Sequence, residues 1–337
     1  MNKRPGVGDA VLLVRFSSIG DLLLCEPVPR LLKELGVGRV LFLTKERFAA
    51  IPRGWPAVDE VLCLGEPGTR AQLDHVRAEL RSRGQLRTLD LHNTLRSRLL
   101  APPGLLGRLP KHRLQKLLLV HGPHSLSHRL TQLPPVWRRY QQVAGIPESM
   151  QSPPRLWAEG VQLGPRVTPD PGPEAPELLA PGAGKATKRW PLEHWVTFTR
   201  ALLERSARPL VVLGGAGDRE TGETLRALAP GRIQNLCGQA DLSDSARLVA
   251  SGRRILCGDT GLLHMAAAAG VPGVALFGPT TRELGFFPAG DSVRVLEHEG
   301  LDCRPCSHTG SDRCPRGHFR CMRELPPARV LDLYLQG

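Results

Sequence analysis

The sequence predicts an α/β fold of two Rossmann-like, doubly wound domains that face each other across a cleft. In both halves of the 337-residue chain, short apolar segments with strand character alternate with helical segments. A proline-rich stretch at residues 145–177 separates the two halves. We therefore expect one domain over residues 1–168 and a second over residues 169–337, each long enough to bury its own core.

The first half begins with an apolar strand over residues 10–16, which reads AVLLVRF. The leucine-rich segment after SSIGD is predicted to be mostly helical to residue 35, despite Pro27 and Pro29. Apolar spacing at residues 73–83 predicts an amphipathic helix. The other strands of this half are predicted at residues 39–43, 59–64 and 88–91.

The alternation is clearer in the second half. Its first strands and helices are predicted, in chain order, at residues 178–180, 191–205, 209–213, 218–229 and 233–236. Ser243 is the expected N-cap of a further helix that reaches residue 251. The last helix of the chain could pack back on the first domain, and the sequence leaves this open.

A short helix at residues 262–269 is predicted to join two strands, at residues 255–257 and 274–277. A right-handed crossover this short makes the two strands parallel. The turns that follow them therefore lie at the same carboxyl edge of the sheet, which is where open α/β sheets bind ligands. These turns are Asp259-Thr260-Gly261 and Gly278-Pro279-Thr280.

Both turns have the chemistry of a phosphate or diphosphate site. Each offers unpaired backbone N–H groups, a hydroxyl and the positive end of a helix macrodipole. His264, three residues after Gly261, is placed to face the same crevice. Two alternatives stay open, since Asp259 or Thr260 could simply cap its helix and His264 could be structural.

A third turn, at residues 181–190, adds a lysine to this edge of the sheet. It is not a Walker motif, because Leu179 and Ala186 stand where a P-loop needs glycine and a serine or threonine. Lys188, with Thr187 beside it, is nevertheless placed to reach a diphosphate. A solvent-facing lysine is the alternative. Together the three turns favour a nucleotide diphosphate ligand.

The segment GGAGDRE begins like a dinucleotide-binding fingerprint, but Glu220 occupies the position of the third glycine. Nicotinamide chemistry therefore loses its main support. Glu220 and Glu223 could accept hydrogen bonds from ribose hydroxyls, and ordinary exposed helix glutamates are the alternative.

The net charge of +13 is concentrated in one segment of the chain. Between Asp90 and Glu148 the sequence has no acidic residue, but it has nine lysines and arginines and five histidines. Such a field favours an anionic partner, and a solvated face is the alternative. Nucleic acid is not expected, because the chain has only two Tyr and eight Phe and no zinc-finger, helix-turn-helix or RNA-binding signature.

The sequence pattern predicts neither a membrane-spanning segment nor a signal peptide. No apolar run approaches the ~20 residues that a spanning helix needs. The amino terminus leads straight into a strand without a cleavage pattern. We therefore expect a cytoplasmic protein.

Asp21 stands where the SSIGD loop meets the first helix. One interpretation is an N-cap. The other is a general base. N–H donors lower the pKa of a carboxylate and so weaken it as a base. It can still accept a hydroxyl proton late in a displacement, when that proton has become acidic.

Four cysteines cluster near the carboxy terminus in the pattern C-x2-C-x7-C-x6-C. They are Cys303, Cys306, Cys314 and Cys321. The first pair has the spacing of a structural zinc site, whereas the second pair is too widely spaced for a standard zinc knuckle. Structural zinc, reduced buried thiols and a disulfide all stay open.

Four blocks carry a family resemblance: RFSSIGDLLLCEPVPRLLKEL, DLHNTLRSRLLA, PGAGKATKRWPLEHW and GDTGLLHMAAAAGVPGVALFGPT. In this order and spacing they resemble the ADP-heptose:lipopolysaccharide heptosyltransferase family, from about Val11 to Met322. The resemblance implies a GT-B fold with an amino-terminal acceptor-binding domain and a carboxy-terminal nucleotide-sugar-binding domain. It also implies transfer of heptose with inversion and without a metal in the active site.

The resemblance assigns the general base to Asp21 and a phosphate-binding role to Lys188, so these two are the expected catalytic residues. The candidate donor-binding residues are Thr187, Lys188, Glu220, Asp259, Thr260, Gly261, His264, Gly278 and Thr280. The candidate acceptor-binding residues are Ser17, Ser18, Lys111, Arg113 and Lys116.

We expect a monomeric, inverting glycosyltransferase that moves heptose from ADP-heptose to an anionic lipopolysaccharide inner-core acceptor. No cofactor is expected to be required, apart from the open question of structural zinc. Peripheral attachment to the cytoplasmic face of the inner membrane is expected from the basic segment. The alternatives are a nucleotide-sugar epimerase of GT-B-like fold and a non-catalytic anion-binding protein.

Overall fold

The computed structural model describes residues 4–100, 104–122, 133–164, 172 and 174–336. The chain divides into two compact units. The first unit comprises Met1–Lys111 and Val136–Leu163, and the second comprises His112–Pro135 and Gly164–Gly337. The predicted boundary between residues 168 and 169 lies outside the described residues.

The first unit contains a parallel sheet whose central strands are fully buried. Leu12 and Leu41, on the first two strands, are completely inaccessible to solvent. The strands are β1 (Ala10–Val14), β2 (Arg39–Lys45), β3 (Glu60–Leu64), β4 (Arg87–Asp90) and β5 (Leu105–Arg108). Their order in the sheet is β3-β2-β1-β4-β5, and every neighbouring pair is parallel. The chain thus winds outward from β1 in both directions, as in doubly wound folds.

The helical segment predicted after SSIGD is two helices rather than one. Pro27 lies at the start of the second helix, where its missing N–H leaves no hydrogen bond unmade. The first helices of the chain are α1 (Ile19–Leu23), α2 (Pro27–Glu34), α3 (Ala50–Arg53), α4 (Arg70–Ser82) and α5 (Leu95–Leu100). They are followed by α6 (Arg113–His121), in the second unit, and α7 (Val136–Val143), in the first. A short antiparallel pair, β6 (Trp157–Ala158) and β7 (Val161–Gln162), completes the first unit.

The second unit is built on a six-stranded sheet, again entirely parallel. Its strands are β8 (Glu177–Ala180), β9 (Leu210–Val212), β10 (Ile233–Asn235), β11 (Arg254–Gly258), β12 (Gly273–Phe277) and β13 (Val293–Glu297). Their order is β10-β9-β8-β11-β12-β13. The parallel pairing predicted for β11 and β12 is confirmed. Because β8, β11 and β12 are neighbours, the turns after them share one carboxyl edge of the sheet.

The helices that follow β8 keep the predicted alternation, with one correction to a cap. They are α8 (Leu192–Arg205), α9 (Arg219–Arg226), α10 (Leu242–Ser251), α11 (Gly261–Ala269), α12 (Arg320–Arg323) and α13 (Pro327–Leu335). Asp241, and not Ser243, is the N-cap of α10. Its carboxylate accepts the backbone N–H of Asp244 at 2.8 Å, so Ser243 falls inside the first turn. None of the described helices is long and apolar enough to cross a membrane.

The last helix, α13, packs in the core of the second unit. Tyr334 is fully buried, and its ring meets that of Phe198 on α8 edge to face, with centroids 5.5 Å apart. Its hydroxyl donates to Glu177 Oε2 at 2.8 Å, which satisfies a buried carboxylate at the start of β8. The packing that the sequence left open is therefore with the second sheet.

Candidate functional site

Asp21 lies in the first turn of α1, immediately after the loop that leaves β1. The N-cap of this helix is Ser18, so the N-cap interpretation of Asp21 is wrong. Asp21 instead reaches back from the third helical position, where its Oδ2 accepts from Ser18 N at 3.2 Å and from Ser18 Oγ at 2.9 Å. This is the reciprocal half of a capping box. Ser18 therefore holds the carboxylate through both its backbone and its side chain.

Two further groups hold the Asp21 carboxylate, and the sequence analysis identified neither. Arg15 Nη2 lies 2.7 Å from Asp21 Oδ2, and the Tyr140 hydroxyl donates to Asp21 Oδ1 at 3.1 Å. The Arg15 guanidinium is itself fixed by the carbonyl oxygens of Ser17, at 2.6 Å, and Leu91, at 2.8 Å. Arg15, Asp21 and Tyr140 thus form a fixed cluster at the end of β1, which we call the Asp21 cluster.

The Asp21 cluster keeps its carboxylate ionised. Burial raises the pKa of Asp21, but the Arg15 guanidinium, the two Ser18 donors and the Tyr140 hydroxyl outweigh it, and the net pKa is below the ordinary value. Burial lowers the pKa of Arg15, but Asp21 beside it produces a net increase. The pair is therefore fully charged at neutral pH.

His92 adds a neutral imidazole close to the Asp21 cluster. Burial, followed by the positive charges of Arg15 and Lys111, lowers the pKa of His92 to about 3. Its Nδ1 accepts from the backbone N–H of Phe16 at 3.4 Å, so the ring adds no positive charge near Asp21. The sequence analysis did not single out His92 as a site residue.

The predicted acceptor-binding residues divide between the two units. Ser17 and Ser18 belong to the Asp21 loop, and Lys111 Nζ donates to the His92 carbonyl at 2.7 Å in the first unit. Arg113 and Lys116 lie on α6 in the second unit. The basic residues predicted to bind the acceptor are therefore not confined to one unit.

In the second unit, three turns meet through the carboxylate of Asp259. Lys188, in the turn after β8, places its Nζ 2.7 Å from Asp259 Oδ2. Thr280, in the turn after β12, donates its hydroxyl to the same oxygen at 2.9 Å. Asp259 is buried at the end of β11, so its carboxylate is neutralised by one ion pair and one hydrogen bond. The structure thus brings together Lys188, Asp259 and Thr280, which the sequence placed on one edge.

The other predicted donor-binding residues differ in burial and in hydrogen bonding. Thr260 is the N-cap of α11, and its Oγ1 is buried with no hydrogen-bond partner among the described residues. Gly261 begins that helix, and His264 is buried in its first turn. Gly278 opens the turn after β12. Glu220 lies exposed in the first turn of α9.

Thr187 makes hydrogen bonds to a distant segment that the sequence did not indicate. Its hydroxyl donates to the Ser311 carbonyl and accepts the Ser311 N–H, both at 2.8 Å. Its backbone N–H also donates to the Ser311 carbonyl, at 3.1 Å. Thr187 therefore attaches its turn to residues 303–321, which we call the cysteine-bearing segment.

Asp218 contacts the turn after β8, which the sequence did not indicate. Its carboxylate accepts from Gly215 N at 2.9 Å and lies 3.7 Å from Arg189 Nη2. A Cβ added at Gly182 would come within 2.1 Å of Asp218 Oδ2, so a larger residue there would displace this carboxylate. Glycine at position 182 thus allows the two loops to pack closely.

The cysteine-bearing segment, residues 303–321, is packed against the turns that follow β8 and β12. Arg304 is buried and donates to the carbonyl oxygens of Phe277, Gly278 and Thr280, and to Glu297 Oε2 at 2.6 Å. Ser311 holds Thr187, as described above. A single segment therefore fixes two of the three turns that meet near Asp259.

The four clustered cysteines are free thiols. Cys303 Sγ lies 3.7 Å from His318 Nε2. Burial raises the pKa of Cys321 to about 12, and it also raises the pKa of Cys306. Across the described residues, which include the whole segment, no group of three or more His, Cys, Asp or Glu side chains is placed to hold a metal ion. Structural zinc at these cysteines stays a prediction.

Replacing Tyr140 with phenylalanine is expected to raise the pKa of Asp21, because it removes a donor to the charged carboxylate. Since the folded pKa of Asp21 is depressed, the cluster stabilises the fold above the unfolded pKa and loses that contribution as pH falls through the folded pKa. In the variant this loss should begin at higher pH. The free energy of unfolding at neutral pH should fall by about 1.5–3 kcal/mol.

The measurement is urea unfolding of the Tyr140→Phe variant as a function of pH. Tyr334→Phe is the matched control, because its hydroxyl also donates to a buried carboxylate, Glu177, but far along the chain in the second unit. An acid-unfolding curve of Tyr140→Phe that coincides with that of wild type would contradict the role given to Tyr140.

Replacing Arg304 with alanine is expected to loosen the turn after β12. The change removes buried hydrogen bonds to three carbonyl groups and leaves Glu297 without its cation. We expect a loss of about 2–5 kcal/mol in the free energy of unfolding, measured with urea. Arg320→Ala, which removes an exposed pair with Glu324, should change stability little. Equal stability of the two variants would contradict the clamping role of Arg304.

Two doubly wound parallel sheets define the class of protein. The first sheet carries an ionised carboxylate after its first strand, and the second gathers a lysine and glycine-bearing turns at its carboxyl edge. This is the GT-B class of α/β proteins, as predicted.

Comparisons with known proteins confirm the resemblance to the heptosyltransferase family. Residues 172–314 match the model of glycosyltransferase family 9 (heptosyltransferase). Over 163 residues the chain is 38% identical to lipopolysaccharide heptosyltransferase 2 of Escherichia coli K12, covering 46% of this chain and 44% of that protein. Over 175 residues it is 31% identical to lipopolysaccharide heptosyltransferase 1 of Pseudomonas aeruginosa, covering 48% of each. The chain thus spans about half the length of the curated relatives it matches.

Solved structures extend the similarity of fold to the whole chain. A glycosyl transferase family 9 protein from Veillonella parvula has a TM-score of 0.76 at 16% identity and covers 98% of both chains. The ADP-heptose lps heptosyltransferase II of E. coli has a TM-score of 0.66 at 22% identity and covers 97% of this chain and 99% of its own. The GT-B fold class is therefore confirmed.

Proposed function

We propose that this protein is an inverting glycosyltransferase that moves heptose from ADP-heptose to an inner-core lipopolysaccharide acceptor. The observation that carries the proposal is the meeting of Lys188, Thr280 and Asp259 at the carboxyl edge of the second sheet. The family model named heptosyltransferase matches residues 172–314, within this half of the chain.

The donor is proposed to bind at that edge through its diphosphate. Lys188 supplies a fixed positive charge, and the first turn of α11 supplies unpaired backbone N–H groups at a positive helix end. The buried Oγ1 of Thr260, which has no partner among the described residues, provides a hydroxyl for a ligand oxygen. These are the groups that a phosphate needs and a neutral sugar alone does not.

The acceptor is proposed to bind at the first unit, with its hydroxyl at Asp21. The carboxylate has both oxygens oriented, and its side chain keeps some exposure to solvent. Ser17 and Ser18 line the same loop, and Lys111 contributes a cation nearby. The basic residues suit an acceptor that carries phosphate or acidic sugars.

The proposed reaction is a single displacement. The acceptor oxygen forms a bond to the anomeric carbon while the bond from that carbon to the diphosphate oxygen breaks, which inverts the anomeric configuration. Asp21 takes the acceptor proton late in the step, when bonding to carbon has made the hydroxyl acidic. The electron pair leaves with ADP, and Lys188 and the helix N–H groups stabilise the charge that develops on the diphosphate. With those groups in place, the proposal needs no metal ion or cofactor.

The site of action is proposed to be the cytoplasmic face of the inner membrane, with the protein a peripheral monomer. An acceptor anchored in lipid requires the enzyme to work at a surface. The basic segment between Asp90 and Glu148 matches such a surface in charge.

Mass spectrometry tests the proposal directly. The protein is incubated with lipopolysaccharide inner-core acceptors and, in separate reactions, with ADP-heptose and other nucleotide sugars. The expected result is the addition of one heptose from ADP-heptose only. Conversion of the nucleotide sugar without an acceptor would favour the epimerase, and ligand binding without any product would favour an anion-binding protein.

A further inference from the structure

Helix α6 (Arg113–His121) exposes a stripe of leucines. Leu114, Leu117 and Leu118 have 77%, 57% and 49% of their surface exposed, whereas Leu119 is 3% exposed. Residues three and four apart lie on one face of a helix, so the three exposed leucines form one stripe and Leu119 points away from it. No other described helix exposes three large apolar residues. An apolar stripe of this kind indicates a surface that another molecule covers.

The same helix is basic. Arg113 and Lys116 each precede a leucine of the stripe by one position, so their side chains lie beside it. The surrounding sequence from residue 91 to residue 147 contains no acidic residue. A helix with leucines on one side and cations beside them is typical of helices that lie in the interface of an anionic membrane.

A second copy of the chain is the other occupant to consider. Pairing two α6 stripes would bring Arg113 and Lys116 of both copies together, with no acidic residue in the neighbouring sequence to balance them. The net charge of +13 adds to this repulsion. A bilayer with anionic headgroups satisfies the cations and the leucines at the same time, so it is the occupant that the charges favour.

We propose that α6 docks this protein on an anionic lipid bilayer, with Leu114, Leu117 and Leu118 entering the acyl boundary and Arg113 and Lys116 contacting headgroup phosphates. The inference rests on the proposed function in that a lipid-anchored acceptor requires membrane contact. It goes further because it assigns the contact to one helix and adds an apolar component. Binding should therefore persist in part at salt concentrations that remove purely electrostatic attachment.

Docking through α6 would place the membrane next to the segment that fixes the donor turns. Burial and the Lys116 ammonium both lower the pKa of His308, which places α6 beside residues 303–321 in the second unit. Arg304 and Ser311 of that segment hold the turns at Gly278 and Thr187. The membrane-facing helix and the donor-binding edge are thus two surfaces of the same unit.

The experiment is co-sedimentation of the full chain with vesicles of phosphatidylcholine, with and without phosphatidylglycerol. Each is measured at about 0.1 M and about 1 M salt, where the Debye length is about 10 Å and about 3 Å. We expect wild type to bind the anionic vesicles and to retain part of this binding at high salt. The variant L114S/L117S/L118S should partition at least roughly 10-fold more weakly at both salt concentrations.

Two variants separate the components of binding. Arg113→Gln with Lys116→Gln should reduce binding mainly at low salt, because only the electrostatic part is removed. Val161→Ser, a change at an exposed apolar residue in the first unit, should bind like wild type. Because the leucines are exposed, their replacement should leave the far-ultraviolet circular dichroism and melting temperature unchanged.

Equal binding of wild type and the triple leucine variant would overturn the inference. So would a concentration-dependent dimer, seen by analytical ultracentrifugation, that the leucine changes abolish, because the occupant would then be a second copy. Transfer to a delipidated, soluble acceptor is assayed in parallel. Transfer without vesicle binding refutes the docking alone, and vesicle binding without transfer refutes the proposed enzyme.

Discussion

Asp21→Asn is expected to lower kcat by about 10²–10⁴-fold and to leave the affinity for ADP-heptose unchanged. Asparagine has nearly the shape of aspartate, but its neutral amide cannot take the proton from the hydroxyl of the acceptor substrate. The donor is proposed to bind to the second unit, and Asp21 belongs to the first, so its replacement should not disturb donor affinity. Single-turnover kinetics measures the loss in rate, and isothermal titration with ADP-heptose measures the affinity.

The depressed pKa of Asp21 restricts the stage of the reaction at which this carboxylate can act as a base. Arg15, the Ser18 donors and Tyr140 keep the carboxylate ionised. The carboxylate is therefore in the form that can accept a proton, but its low pKa makes it a weak base. It can act only in a transition state in which the hydroxyl has already begun to bond to carbon. Stabilisation by Asp21 is then realised in the transition state and not in the ground state. The mutation should therefore lower kcat rather than raise KM.

The variant needs a control for stability, since asparagine leaves Arg15 without its counter-charge. The melting temperature of Asp21→Asn should fall, and assays belong well below it. Asp74→Asn removes a carboxylate from a surface pair with Arg77 on α4 and should leave kcat at the wild-type value. Turnover of Asp21→Asn at the Asp74→Asn rate would remove Asp21 from the mechanism and favour a purely structural capping role.

Local sequence patterns predicted the parts of the fold that local rules govern. The alternation of apolar strands and helices, the parallel β11 and β12, and the common edge of the turns after them follow from periodicity and from the handedness of a short crossover. The edge strands β5 and β13 were not predicted, because an edge strand such as VRVLE is short, and two of its five residues are charged. The break between α1 and α2 at Pro27 was not predicted, because leucines continue the helical pattern across it.

The site residues that the sequence missed depend on contacts between distant segments. Tyr140 meets Asp21 across 119 residues of sequence, and Ser311 meets Thr187 across 124. No local spacing indicates such partners. Arg15 could have been found, because an arginine at the end of a buried strand, six positions before a suspected catalytic carboxylate, needs a charged partner when it is buried.

The cysteine-bearing segment makes contacts that its cysteine motif does not indicate. The spacing of its thiols suggested a metal, whereas its side-chain contacts run through Arg304 and Ser311 to the turns around Asp259. An arginine between two cysteines carries no local signal of this role. Its function as a clamp appears only when the segment is packed against β12.

Lys188→Ala is expected to lower kcat by about 10²–10³-fold, which corresponds to about 2.7–4 kcal/mol of transition-state stabilisation. Charge builds up on the diphosphate as the bond to the anomeric carbon breaks, and the Lys188 ammonium is the fixed cation at the edge proposed to receive it. Donor affinity should fall less than kcat, because the ground-state diphosphate needs less stabilisation than the departing one. Pre-steady-state kinetics with ADP-heptose separates the two effects.

Lys185→Ala is the matched control for Lys188. Lys185 lies in the same turn, but it is exposed and paired with Asp312, so its loss should change kcat little. Similar losses for the two lysines would mean that only the general positive field of the loop matters and that the fixed position of Lys188 does not.

Asp259 makes the mechanism of Lys188 testable by a double-mutant cycle. Its buried carboxylate binds Lys188 Nζ and the Thr280 hydroxyl, which are contacts that hold a lysine in place. If it acts by positioning Lys188, Asp259→Asn should lower kcat in the wild-type background but should have little further effect once Lys188 is alanine. If Asp259 instead contacts the donor independently, the two losses should multiply. The coupling free energy therefore distinguishes a positioning aspartate from a ligand-binding one.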